Sequence, residues 1–405
     1  MIGRKEIAME FFTVKKDVQS DRKIVLDDMI LTKDMPTTAG SKMLDGYMSL
    51  FDAQVVTKLV EANYAICGKN PVGEFAFDLL GETNYKGALC ADGKLLNASA
   101  ETVSAGEAIA AICLDANGSV RRAASQYGLV SIKPTYGTVS RYGTVPVACS
   151  GDTVSVMASE SDVCAEVLSV IAGHDEKDGT SHSDELYAKL VNGADVAPVK
   201  RVALLKSMLA GADDEICTKI ENAKKILSEN GIEVCEIDDN IICTSRVAWN
   251  ILMSAELCNN VSKYDGVKYG YRAQKFSNID ELYTNSRTEA FGDLLKTAIL
   301  FGSETLSTDN YMKVYDKALR MRRVIAEAFA EIFSKFDAVL MPACSSMAYC
   351  ENIDRTKAFE ENAYTAPASI TGLPAVVSGS VQLVGKAFSD RSLLSVAKLL
   401  EKEGK

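Results

Sequence analysis

The sequence predicts an α/β protein built on one large, mostly parallel β-sheet with helices on both faces, because three separate stretches pass from helical periodicity into a short apolar run. The first lies between residues 45 and 70, where Val55, Val56, Leu59 and Val60 share one helical face and the run NYAICG follows. The second is a helix from about Asp214 to Glu229, ended by Asn230 and Gly231, and then a strand from Ile232 to Ile237. The third keeps Ile325, Ala328, Phe329, Ile332 and Phe333 at helical spacing within Tyr311 to Phe336, and AVLMP follows as a buried strand. The polar, helix-rich stretch from about 210 to 330 reads as an insertion or subdomain within a single domain spanning 1–405. No internal repeat, low-complexity tract or Pro-rich linker interrupts the chain, which removes solenoid and multi-module architectures.

Composition narrows the function classes. Of 405 residues 47% are hydrophobic and 24% charged, enough apolar material for a large core. Forty-four basic against 55 acidic residues give a net charge of -11, so no direct nucleic-acid patch is expected. Eleven cysteines stand singly beside two histidines, with no CxxC pair, which indicates neither a metal site nor a disulfide framework. They read as small buried hydrophobes in a reducing compartment. The start MIGRKEIAMEFF has no long apolar run, and no later stretch has the roughly 18 apolar residues of a membrane span. A soluble, cytoplasmic protein without membrane contact is the expectation.

The segment that bears chemistry is Asn97 to Gly143. It opens on a helix of small residues, Ala98, Ser99, Ala100, Ser104, Ala105, Gly106, Ala108, Ala110 and Ala111, whose side chains permit close backbone approach. A turn follows, Asp115-Ala116-Asn117-Gly118-Ser119-Val120-Arg121, in which Asn and Gly tolerate left-handed conformations. Successive backbone N–H groups in such a turn can form an anion-binding nest beside a serine. Taken alone, Gly118 and Ser119 read as turn residues and Arg121 as half of an internal ion pair.

Asp115, Gly118, Ser119, Arg121 and Ala124, followed by IKPTYGTVSRYG from Ile132 to Gly143, resemble the amidase-signature family. TKDMPTTAGSKML (Thr32 to Leu44), EFAF (Glu74 to Phe77), YDGVKYGYR (Tyr264 to Arg272), ELYTNSRTEAFG (Glu281 to Gly292) and TGLPA (Thr371 to Ala375) are similar, in the same order, to the A subunits of glutamine-dependent tRNA amidotransferases within it. The resemblance implies the amidase-signature fold, a large, twisted, mixed but mainly parallel sheet sandwiched by helices. It implies no cofactor. It also implies a serine nucleophile, a relay serine and a neutral lysine base, since a hydroxyl attacks poorly until a neighbour takes its proton.

By that register Ser119 stands at the nucleophile position, with Ala116, Asn117 and Gly118 as the oxyanion and substrate loop. Asp27 stands where the resemblance puts the lysine, and an ungapped count of 24 residues back from Ser119 puts Leu95 at the relay position. An ordinary ionised aspartate is a weak base, and leucine passes no proton. Lys94 beside it reads as a solvated loop lysine. The positions that would hold the amino-acid end of glutamine read Trp249, Asn250, Ala298 and Asn362, which lack the charges needed to pair a free amino acid.

Two functions stay open. One is an inactive, A-subunit-like scaffold that pairs with B- and C-type amidotransferase subunits or with an active paralogue. The other is an active amidohydrolase or amidotransferase subunit that uses Ser119 with a rearranged base. A small-molecule binder using the old cleft has no sequence signal of its own.

Overall fold

The computed structural model describes residues 11–186, 197–350 and 353–401 and places helices on both sides of an 11-stranded sheet. In chain order the first half comprises β1 (Val14–Lys15), β2 (Lys23–Asp27), α1 (Gln54–Glu61), β3 (Ala65–Asn70), β4 (Cys90–Ala91), β5 (Lys94–Leu95), α2 (Ala98–Ser104), β6 (Ala110–Asp115), α3 (Ser119–Tyr127), β7 (Val130–Lys133), β8 (Thr153–Ala158) and α4 (Ser161–Ile171). The second half comprises β9 (Arg201–Leu205), α5 (Asp214–Glu229), β10 (Glu233–Ile237), α6 (Ser245–Val261), α7 (Ile279–Ala290), α8 (Asp293–Thr305), α9 (Asp316–Phe333), β11 (Ala338–Met341), α10 (Arg355–Glu361), α11 (Ala366–Thr371), β12 (Ala375–Ser378), β13 (Val381–Gly385) and α12 (Asp390–Leu400).

The large sheet runs β1-β3-β2-β6-β8-β7-β12-β13-β11-β9-β10 and is mixed, as expected for the class. Its parallel ladders lie in two flanks, β3–β2–β6 and β11–β9–β10, where β2–α1–β3 and β9–α5–β10 are crossovers between neighbours. Six of its ten ladders are antiparallel. Two local causes explain the antiparallel centre. The β6–α3–β7 crossover skips one position, which β8 fills in the opposite direction. Beyond it, β12 and β13 form a hairpin through Gly379 and Ser380, both with positive φ (56° and 65°), the geometry of a two-residue turn matched to strand twist.

Both faces of the sheet are buried, and side chains alternate between them with the period of two that a pleated strand imposes. Ile24, Leu26, Ile112 and Leu204 pack with α1, α4, α5 and α12. On the other face Val25, Ala111 and Cys113 pack with α2 and α3, and Ala203, Leu205, Val339 and Met341 pack with α6 and α9.

Three expectations are corrected. The small-residue helix ends at Ser104 because Gly106 turns left-handed (φ 70°), and Ala110 and Ala111 open the central strand β6 instead. The helix expected from Tyr311 begins with a wider π-turn, Tyr311–Tyr315, before α9. Only Cys67, Cys113, Cys164 and Cys344 are buried, whereas the edge strand, helix margins and loops hold the rest, with Cys149 and Cys350 exposed; none of the eleven forms a disulfide. No helix among the described residues is long and apolar enough to cross a membrane.

Candidate active site

Asp27 is the last residue of β2 and Asp115 the last of β6, and these strands are parallel neighbours, so their carboxyl ends open on one side of the sheet. Ligands bind at such ends in open α/β sheets. A cavity of about 380 Å³ lies here, lined by Asp27, Thr38, Asp78, Ser99, Ser119 and Arg122 among others.

Ser119 is held at the first turn of α3 by its surroundings. Gly118 adopts φ 94°, and a Cβ at that position would sit 2.1 Å from the Thr365 Cβ, so only glycine fits. Two residues on, the buried Arg121 anchors the turn. Its Nε and Nη2 donate to the two Asp115 oxygens at 2.9 and 3.0 Å, Nη1 donates to Thr365 O and Gln382 Oε1, and Nη2 also donates to Ser369 Oγ. This is the internal ion pair expected for Arg121. Ser119 itself is half-buried, and its hydroxyl makes no hydrogen bond to any described residue.

Asp27 faces the same cavity, so the structure brings together the residues at the nucleophile and base positions. Its two oxygens accept the backbone N–H groups of Met29 (3.0 Å) and Leu114 (2.6 Å). Burial pushes its carboxyl up to about 7, against the pull of those hydrogen bonds and of Lys69. It is therefore not the ordinary ionised aspartate expected. Beside it, burial raises Asp28 to about 6 and lowers Lys69 to about 8, each opposed by the other's charge. Lys69 Nζ donates to Pro36 O and Thr37 Oγ1, and Asp28 accepts from the Thr38 backbone and hydroxyl.

Leu95 does not join them. β4 and β5 form a hairpin in which Asp92 and Gly93 both take positive φ (52° and 74°), an Asp-Gly turn of the type that closes two-residue hairpins. Leu95 packs beside Leu79, Leu80 and Tyr349, its N–H bonded to Tyr349 O, and Lys94 is exposed. The residues just after Leu95, Leu96 to Ser99, do line the cavity, and Ser99, on the first turn of α2, brings a hydroxyl to it.

The positions matched to the glutamine pocket do not line the cavity either. Asn250 Nδ2 donates to Asn362 Oδ1 (2.8 Å), and Asn362 Nδ2 donates in turn to the Asn117 backbone and side-chain oxygens (3.0 and 2.7 Å). Asn117 also donates to Phe77 O and accepts from Thr365 Oγ1. An uncharged amide chain thus occupies the space beside the turn, and Ala116, Asn117 and Gly118 are packed into it. Trp249 is buried against Gly151, and Ala298 lies in the opposite cluster on α8. Sequence reasoning missed Arg122, whose role depends on loop 78–82 folding over α3. No group of three or more side chains among the described residues could hold a metal ion.

The sequence matches the family described as Amidase over residues 23–90 and 98–394. The chain belongs to the amidase family. Among similar amidase-family proteins, the A subunit of glutamyl-tRNA(Gln) amidotransferase from Acinetobacter baumannii is 36% identical over 392 residues, covering 91% of this chain and 80% of that protein. The protein of the same name from Lachnoclostridium phytofermentans is 33% identical over 406 residues, covering 93% and 82%. The crystal structure of the A subunit of glutamyl-tRNA(Gln) amidotransferase from Thermotoga maritima superposes with a TM-score of 0.77 at 28% identity, covering 99% of this chain and 90% of that one. The family match is interrupted at 91–97, which is the Asp-Gly hairpin and holds Leu95.

Proposed function

We propose that this amidase-family chain keeps the fold while having lost amide-cleaving chemistry, and that it acts as a scaffold or partner of other subunits. The observation carrying this reading is the cavity itself: Ser119 has no hydrogen-bonded base among the described residues, Asp27 stands where the resemblance places a lysine, and the hairpin turns Leu95 into an apolar cluster. A serine hydroxyl in that setting keeps its proton. The Asn250–Asn362–Asn117 chain supports the same reading, because a free amino acid brings two charges and these amides pair neither. The similar proteins are subunits by name, which makes B- and C-type amidotransferase subunits, or an active paralogue, the partners to test by co-purification.

The decisive experiment incubates purified chain and its Ser119→Ala variant with glutamine, asparagine and simple amides and follows ammonia. Equal, background release from both is expected. Release that depends on Ser119 supports the second reading, an amidohydrolase with a rearranged base. One observation favours that reading: a carboxyl raised to about 7 in the serine's own cavity is better matched to general-base work at neutral pH than an ordinary aspartate.

A further inference from the structure

We infer that the cavity is a binding site for a small carboxylate with an apolar body, anchored on Arg122. Arg122 is 3% exposed and lines the cavity, yet it has no carboxylate within 4.0 Å among the described residues. Its bonds are to neutral acceptors: Nε donates to Leu79 O at 3.1 Å and Nη1 to Gln126 Oε1 at 2.5 Å, with the guanidinium 5.2 Å from the Tyr349 ring centroid. Nη2 bonds to no described residue. Contrast Arg121, whose neighbouring guanidinium is neutralised by Asp115 and bonded on every side. A buried cation without a counter-charge is costly, and a ligand anion removes that cost.

The acids that share the cavity do not neutralise Arg122. Asp78 accepts the backbone N–H groups of Leu80 and Thr83 with its two oxygens, and Asp27 accepts those of Met29 and Leu114. Lys86 adds a second cation at the rim. The start of α3 faces the same space, so its free N–H groups favour negative charge there too. Ser119 and Arg122 are three residues apart on the helix, which sets their Cβ atoms roughly 5–6 Å from each other. Leu79, Leu80, Leu89 and Leu96 supply apolar walls, and the volume of about 380 Å³ is that of a small-molecule site.

This site goes beyond the loss of chemistry proposed above, because binding requires no reacting serine. Its test reads binding and not ammonia, so failure here leaves the Ser119 result untouched. Benzoate, butyrate, benzamide and benzylamine are titrated into the full chain by calorimetry. Benzoate and butyrate bind and the other two do not. Arg122→Gln weakens benzoate about tenfold or more, Arg122→Lys keeps the charge and recovers part of the affinity, and Ser119→Ala changes it little. Benzamide binding as well as benzoate, or benzoate unaffected in Arg122→Gln, overturns the inference. Crystals grown with 4-bromobenzoate keep the test independent of folding in the variants: bromine in this cavity supports it, and no bromine there overturns it.

Discussion

The turn from Asp115 to Arg121 and the segment from Cys90 to Ser99 border the same cavity, but they have been treated differently. In the turn every polar group of the anchor is satisfied: Arg121 reaches β6, α11 and β13 at once, and Gly118 occupies a space no other residue fits. In the segment an ordinary Asp-Gly hairpin holds Leu95 away from the cavity, and the family match lapses there. On the proposed reading, residues that close the fold are kept while residues that move protons are lost, even where the two lie side by side.

The contrast can be broken at four points. Arg121→Met leaves the Asp115 carboxylate buried and unpaired, and should cost about 3–5 kcal/mol in denaturant unfolding. Gly118→Ala forces a left-handed φ on alanine and drives its Cβ into Thr365, with an expected loss of about 2–3 kcal/mol in the same assay. A loss under about 1 kcal/mol for either would mean the turn is not the rigid side of the comparison.

The third is a pH scan. Asp27 and Glu74 are raised to about 7, and Asp28 and Asp152 to about 6, each by burial. A raised acid binds protons in the folded state that the unfolded chain has released, so its stabilisation is complete below about pH 4 and disappears as pH rises through the folded value. Thermal stability should therefore fall between about pH 5 and pH 7, by on the order of 2 kcal/mol from Asp27 alone. Asp27→Asn should flatten that slope; an unchanged slope would remove Asp27 from the account. The smallest effect is expected of Leu95→Ser, about 1 kcal/mol or less for a half-buried leucine. Combined with Asp27→Lys it should release no ammonia from glutamine, because position 95 does not face Ser119. Restored release would erase the distinction between the two regions.

Much of this was legible in the sequence, and the remainder has identifiable causes. Helix α5 ends where Asn230 and Gly231 said it would, and β11 is the buried run AVLM, because periodicity and caps are local signals. The Asp92-Gly93 and Gly379-Ser380 hairpins carry a local signal too, yet neither was read from the sequence, and the second explains much of the antiparallel centre. At the site, motif register was enough to bring Asp27 and Ser119 to one cavity. It was not enough to place Leu95, since counting without gaps assumes a loop of constant shape. Nor could it value Arg122, whose burial comes from Leu79, 43 residues earlier in the chain.

Arg121 joins residues 6, 244, 248 and 261 positions away in sequence. Contacts of such separation carry the loop-closure cost that slows folding, so they form late. During synthesis, then, the Ser119 turn waits without its anchor until Gln382 has left the ribosome. A chain shortened before Thr365 consequently keeps Asp115 as the partner of Arg121 but leaves the three hydrogen bonds to Thr365, Ser369 and Gln382 unmade, so the Ser119 turn is untied from α11 and β13.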